Sequence, residues 1–185
     1  MDFQRLDKVR LPVGFRGRSA LVVQLWWIVQ STLFGCSPQF MYGWRNFILR
    51  AFGAKVGANV KIRPTARITF PWKVVLGEYC RVSDEVVLYS LGEITIGAHA
   101  VVSQRSYLCA GSHDYTDHTF QLYTESITVE DQVWIAADVF VGPGVKLGEG
   151  CVIGARSSVF SDMPKAMVCY GYPAKPMKKR CDEKR

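Results

Sequence analysis

Residues 129–164 read VEDQVW, IAADVF, VGPGVK, LGEGCV, IGARSS and VFSDMP. An aliphatic residue opens each block: Val129, Ile135, Val141, Leu147, Ile153 and Val159. Gly or Ala often follows it, and a second apolar residue usually stands four positions after the first. This period matches neither the spacing of an amphipathic helix nor the alternation of a half-buried strand. It suits a coil with three short flat faces per turn, in which equivalent aliphatic side chains point inward. An internal repeat of this kind decides the fold before any local propensity is weighed.

Working outward, the same spacing appears upstream with interruptions. Val56, Ile62 and Ile68 form one series. Leu76, Val82 and Leu88 form a second, after the insertion TFPWKVV shifts the phase, and Ile96, Val102 and Leu108 form a third. Residues 111–128, GSHDYTDHTFQLYTESIT, leave the period altogether. Strands of a β-sandwich would alternate in and out with variable turn spacing, so that architecture is disfavoured. The expected organisation is a helical, basic and aromatic segment over residues 1–53, a β-helix over 54–170 with a loop excursion at 111–128, and a basic tail over 171–185.

The six cysteines contain no C-x-x-C pair, which leaves zinc-knuckle and redox-motif readings without support. Cys80, Cys109 and Cys151 fall within the repeats and read as small apolar fillers, in keeping with a reducing cytoplasm. No export signal is evident at the start of the chain. Every charged residue from Lys8 to Lys73 is basic, and the whole chain carries a formal charge of +7. Such asymmetry attracts polyanions or an anionic surface. Nucleic acid is not the expected partner, because no zinc-finger, helix-turn-helix or RRM signature accompanies the charge.

Between these basic groups lies ALVVQLWWIVQSTLFG, residues 20–35. It is shorter than the ~20 apolar residues of a membrane span and is broken by Gln24 and Gln30. Trp26 and Trp27 are residue types favoured at a membrane interface. A second helix is expected over GWRNFILRAFGAK, with Trp44, Phe47, Ile48 and Ala51 on one face and Arg45 and Arg50 away from it. The two helices are expected to cap the open end of the coil and to allow contact with a membrane surface.

His113 is the leading chemical candidate, because it stands where the period breaks into a loop. An imidazole with a pKa near about 6.5 takes and returns a proton at neutral pH. Asp114, the ring's own backbone carbonyl or a group across an interface would orient it. His99 occupies a hexad corner and reads as structural. His118 is a weaker form of His113.

The sequence resembles the hexapeptide-repeat acyltransferases, more narrowly the branch of colanic acid and exopolysaccharide biosynthesis O-acetyltransferases. The resemblance spans nearly the whole chain. It rests on GWRNFILRAFGAKVG before the coil, GSHDYTD at the loop, VWIAADVFVGPGVKLGEGCVIGARSSV, and GYPAKPMKK at the end. It implies an all-β fold, a left-handed parallel β-helix, assembled as a homotrimer with active sites between subunits. It implies acetyl-CoA as acyl donor with no metal, and a sugar hydroxyl of a glycan or exopolysaccharide precursor as acceptor.

By the same resemblance His113 is the general base. The backbone N–H of Ala137 faces the thioester oxygen, and Ala155 lies along the pantetheine arm. Trp134 packs beside the histidine, and Lys175, helped by Lys178, sits near the coenzyme phosphates. The acceptor side departs from the family pattern: SDEVVLYSLGE stands where relatives carry Asn and Asp. Ser83, Asp84 and Glu85, with Asp114, are the acceptor-binding candidates. Two other readings stay open, N-acetyl transfer to an amino sugar and a non-catalytic β-helix scaffold. The basic, Trp-rich N-terminal portion favours an acceptor held at the inner face of the cytoplasmic membrane.

Overall fold

The computed structural model describes residues 3–9, 11–12 and 14–181. Helix α1 (Ala20–Val29) begins at Ser19, whose side chain accepts from the Val22 N–H, and runs on through a wider π-type turn over Gln30–Phe34. Helix α2 (Tyr42–Ala51) follows. The first turn of the coil is β1 (Lys55–Val56), β2 (Lys61–Ile62) and β3 (Arg67–Ile68), and the second is β4 (Val74–Leu76), β5 (Arg81–Val82) and β6 (Val87–Tyr89). The third is β7 (Ile94–Ile96), β8 (Val101–Val102) and β9 (Tyr107–Cys109). A hairpin of β10 (Gly111–His113) and β11 (Leu122–Thr124) then leaves the coil. The chain rejoins as β12 (Ile127–Val129), β13 (Trp134–Ile135) and β14 (Phe140–Val141), then β15 (Lys146–Leu147), β16 (Val152–Ile153) and β17 (Ser158–Val159). Strand β18 (Met167–Gly171) begins a partial last turn, and β19 (Ala174–Lys179) pairs back on it antiparallel.

Strands one turn apart stack in parallel, so the coil has three sheets: β1-β4-β7-β12-β15, then β2-β5-β8-β13-β16 with β18 and β19, then β3-β6-β9-β14-β17. The register places the hexad openers above one another, as in Val82↔Val102, Ile135↔Val102 and Ile135↔Ile153. All six openers from Val129 to Val159 are buried. Full burial of each such side chain stabilises by roughly 1.5–3 kcal/mol, and these columns make up most of the core. The fold is therefore a parallel β-helix of hexapeptide repeats with an N-terminal helical segment. The excursion is shorter than its expected limits of 111–128, because Ile127 and Thr128 already belong to the ladder of β12.

Two corner features follow from the tight stacking. The corner from the first to the second sheet starts with Gly57, Gly77, Gly97 and Gly148, and with Glu130 in the fourth turn; an added Cβ on Gly57 or Gly148 would stand 2.6 Å from a backbone nitrogen of the next turn. Three residues beyond the hexad opener, Asn59, Tyr79, Glu85, His99, Arg105, Gln132, Asp138 and Arg156 all take positive φ. This left-handed residue turns the chain, and its N–H usually donates to the turn below, as Asp138 does to Gln104 O and Arg156 to Ala137 O.

The three corners differ in their tolerance of length. The first-to-second corner and the second-to-third corner hold the same number of residues in every complete turn. The third-to-first corner holds residues 69–73 in one turn, 90–93 in the next, the hairpin in the third and 142–145 in the fourth. All phase shifts of the repeat occur there.

The first turn leaves its lower backbone groups unpaired by any strand, and the helices supply the partners. Trp26 Nε1 donates to Ile68 O at 2.8 Å, and Gln30 Oε1 accepts from the Ile68 N–H at 2.6 Å. Arg45 Nε reaches Ile62 O at 2.7 Å, Asn46 Nδ2 reaches Val60 O at 2.9 Å, and Arg50 Nη2 reaches Val56 O at 2.9 Å. An open strand edge is blunted in this way by covering it. The expected face of α2 is corrected here. Arg45 is fully buried, with Asn46, Ile48 and Leu49, whereas Trp44, Phe47 and Ala51 face outward. The buried guanidinium is satisfied because Nε meets Ile62 O of the coil while Nη1 and Nη2 meet Ser37 Oγ and the carbonyls of Pro38 and Gln39.

Candidate active site

His113 ends β10, directly opposite Leu122 of β11. Its Nδ1 lies 2.8 Å from the carbonyl oxygen of Phe120, and its ring stacks on the Phe120 ring at 4.3 Å between centroids, 7° from parallel. A carbonyl oxygen only accepts, so Nδ1 carries a proton, and in the uncharged form of the ring Nε2 is the acceptor. The orienting group is thus the Phe120 carbonyl. Asp114 does not orient the ring: its Oδ1 accepts from the Thr116 N–H at 2.8 Å and from Thr116 Oγ1 at 2.6 Å. Those bonds hold the Asp114 carboxyl below its ordinary pKa.

The histidine borders a cavity of about 320 Å³ whose walls come from five separate parts of the chain. Phe15 and Arg16 come from the N-terminal segment and Gln24 and Trp27 from α1. Thr69 and Phe70 come from the first third-to-first corner, Tyr89 and Leu91 from the end of β6 and the corner after it, and Leu122 from the hairpin. The N-terminal segment is tied down by the Arg5 N–H donating to His118 O at 2.7 Å. Behind the wall, Lys73 Nζ donates to the carbonyls of Phe15 and Leu91, and burial lowers its pKa. Apart from Trp27, none of these wall residues was singled out by the sequence pattern.

Within one chain the other candidates lie elsewhere. Ala137 and Ala155 stack at the second-to-third corner, in one column with Asp84 and Gln104. Among the described residues neither the Ala137 N–H nor the Ala155 N–H has a hydrogen-bond partner, while the Ala137 carbonyl accepts from Arg156 at 2.9 Å. These corners therefore offer free backbone donors. Trp134 is exposed on the second sheet, and its Nε1 donates to Ser103 Oγ at 3.1 Å. Lys175 and Lys178 are exposed on β19, which leads back along the coil as a strand.

Ser83, Asp84 and Glu85 form the second-to-third corner of the second turn. Asp84 is engaged by Arg63 Nε at 2.9 Å and Thr65 Oγ1 at 3.0 Å. None of these groups lines the cavity of His113. The structure thus brings Ala137, Ala155 and Asp84 onto one corner and leaves His113 on another.

Burial works against a thiolate at the cysteines of the coil. Cys109 Sγ lies 3.1 Å from Gly111 O, and burial raises its thiol pKa. Burial pushes Cys80 and Cys151 up to about 12. Among the described residues no group of three or more His, Cys, Asp or Glu side chains is placed to hold a metal ion.

Comparison with known proteins agrees with this architecture. The family described as "Bacterial transferase hexapeptide (six repeats)" matches residues 126–161. The chain is 54% identical over 179 residues to the Escherichia coli K12 protein named "Putative colanic acid biosynthesis acetyltransferase WcaF", covering 97% of this chain and 98% of that one. It is 26% identical over 135 residues to the galactoside O-acetyltransferase of Escherichia coli K12, covering 71% and 66% of the two chains. Among solved structures, the maltose O-acetyltransferase of Clostridium difficile 630 superposes with a TM-score of 0.79 at 24% identity, over 87% of this chain and 89% of that one. A Vibrio cholerae hexapeptide-repeat acetyltransferase complexed with acetyl coenzyme A gives 0.80 at 22% identity, over 90% and 92%. With its hexad repeats, its parallel coil and its likeness to these enzymes, the chain belongs to the hexapeptide-repeat acetyltransferase family.

Proposed function

We propose that the protein moves an acetyl group from acetyl-CoA to a hydroxyl of a glycan or exopolysaccharide precursor. The observation that carries this reading is the contact of His113 Nδ1 with the Phe120 carbonyl oxygen at 2.8 Å. It supports Nε2 as the base, beside a cavity large enough for a sugar. Nε2 takes the hydroxyl proton while the oxygen attacks the thioester carbon. The C–S bond then breaks, and the imidazolium returns the proton to the departing thiolate, giving the acetyl ester and free coenzyme A. Preplaced donors stabilise the oxyanion that forms in between. The unpartnered Ala137 N–H suits that task, and the Ala155 N–H suits the pantetheine arm.

His113 and these donors occupy different corners of one coil, so the reaction needs a second chain. A homotrimer, with His113 of one subunit facing the Ala137 column of its neighbour, is the proposed working form. Trp134, Lys175 and Lys178 would line the donor side. On the acceptor side Arg16, Gln24, Thr69 and Tyr89 border the cavity of His113, and Ser83, Asp84 and Glu85, which share a corner column with Ala137, would face it from the neighbouring subunit, with Asp114 next to His113 in the chain. The acceptor is a glycan precursor at the inner face of the cytoplasmic membrane, where acetyl-CoA is available.

The test is acetyl-CoA binding by calorimetry, followed by a glycan screen, with the wild type and His113→Ala. Both proteins should bind acetyl-CoA, and the variant should lose about 10²–10⁴-fold in turnover. Full turnover by the variant would remove the base role. Absence of binding by the folded wild type would remove acetyl transfer. An amino-sugar acceptor run beside its hydroxyl counterpart separates N- from O-transfer.

A further inference from the structure

Helix α1 is apolar on two opposite sides. Its inner stripe of Val23 and Trp26 is buried against the first turn of the coil. Leu21, Leu25 and Ile28 are spaced to share one face, as residues three and four apart do. That face points away from the coil, and the three side chains are 82%, 53% and 61% exposed. A helix that is apolar all round is ordinarily buried, so this face lacks a partner. The apolar surface continues onto α2. Trp44 Nε1 donates to Leu33 O at 2.9 Å, and the Trp44 ring stacks on exposed Phe47 at 5.9 Å.

The charge around this surface has one sign. Arg16 and Arg18 stand just before α1, and both are exposed. No acidic residue occurs between Asp7 and Glu78. Two occupants compete for such a face. A second copy would set the same arginines against one another, and like charges brought together oppose association. An anionic lipid surface complements both the apolar stripe and the charge.

We propose that this face docks on an anionic phospholipid bilayer, with α1 lying in the headgroup layer. Spanning is not open to it, because the ten-residue helix and its five-residue extension fall short of the ~20 residues needed. Among the described residues no helix is long and apolar enough to cross a membrane. Apolar side chains on one face with cations at its margin are the signature of an interfacial helix. The docking has a consequence for the site. Gln24 and Trp27 of α1, with Arg16, also wall the cavity of His113, so a docked helix sets that cavity beside the membrane surface. Its acceptor is then a glycan carried on an anionic lipid; this last step rests on the acetyl-transfer reading.

The experiment is sedimentation with vesicles of phosphatidylcholine alone and of equal parts phosphatidylcholine and phosphatidylglycerol. The full chain should bind the mixed vesicles at least about tenfold more tightly, since each basic residue near such a surface adds ~1 kcal/mol. Arg16→Gln with Arg18→Gln should weaken that binding about 30-fold by the same measure. Leu25→Glu with Ile28→Glu should abolish it while leaving acetyl-CoA binding and the melting temperature unchanged, because neither side chain touches the cavity or the core. Equal binding to both vesicle types, or undiminished binding by the glutamate variant, would overturn the proposal. So would light scattering that shows the glutamate variant losing an oligomeric contact without lipid, since a second copy would then be the occupant. Vesicle binding without acetyl-CoA binding would refute the function and spare the docking. The reverse result would do the opposite.

Discussion

Replacing Arg45 with Met tests whether the helical segment holds the coil through donors for its open end. The guanidinium makes four hydrogen bonds: Nε to Ile62 O at 2.7 Å, Nη1 to Ser37 Oγ at 2.8 Å and Pro38 O at 2.9 Å, and Nη2 to Gln39 O at 2.6 Å. It also stands 5.0 Å from the Tyr42 ring centroid. The residue is completely buried, and desolvation lowers its pKa. Hydrogen bonds to a charged group are worth about 1.5–3 kcal/mol each. Their sum overstates the loss, because the variant no longer desolvates a charge. A buried carbonyl left without its donor costs about 1–3 kcal/mol, and with Ile62 O, Pro38 O and Gln39 O all losing theirs the expected loss is about 3–5 kcal/mol. Methionine preserves most of the stem volume, so cavity formation adds little. In urea, with a slope of about 2 kcal/mol per molar, the unfolding midpoint should fall by roughly 2 M. Arg45→Lys should fall between the two, because an ammonium cannot serve Ile62 and the 37–39 loop together. A midpoint for Arg45→Met within about 0.3 M of the wild type would refute the reasoning, since the carbonyls would then be satisfied without it.

Four further outcomes follow from the geometry. Cys109→Ala should keep turnover within a factor of about three, since its raised thiol pKa works against a thiolate nucleophile; a loss of a thousandfold would point to an acyl-enzyme. Trp26→Phe leaves Ile68 O without its donor, so chemical denaturation should show a loss of about 1–3 kcal/mol. Gly148→Ala drives a methyl into the backbone of Lys165, and thermal melting should show destabilisation of about 1–3 kcal/mol. Asp114 and Asp117 are held below their ordinary pKa by hydrogen bonds from Thr116 and Thr119. A depressed folded pKa contributes stability that is present above the unfolded value and is lost as pH falls through the folded one. Hydrogen exchange at the Thr116 and Thr119 amides, corrected for intrinsic rate, should therefore accelerate in acid before the coil amides do; coincident loss would refute the local origin.

The coil was legible because its signal is periodic: Val56 to Val159 mark the inward positions without reference to any distant residue. The loop with His113 was legible as the place where that period stops. The cavity was not, since Phe15, Trp27, Phe70, Leu91 and Leu122 converge from segments that share no pattern. The imidazole's partner was hidden for a different reason, because a backbone carbonyl leaves no mark in a sequence. Arg45 was misplaced by reading charge as exposure. Its clue was the coil itself, whose first turn must present unpaired carbonyls to whatever precedes it. The donor corner with Ala137 was reached only through family likeness, as a bare N–H has no side-chain signature.

Length variation confined to one corner separates two kinds of change in this molecule. An insertion at the first-to-second or second-to-third corner would push a stacked column out of line with the turns above and below. An insertion at the third-to-first corner leaves every column where it stands, and doubling such a loop costs only about 0.6 kcal/mol of closure entropy. The hairpin of His113, the Phe70 insertion and the Leu91 corner are all of this tolerant kind. On the proposed function, acceptor choice would be rewritten by splicing that one edge of the scaffold, while the second-to-third corner and the aliphatic columns keep their register.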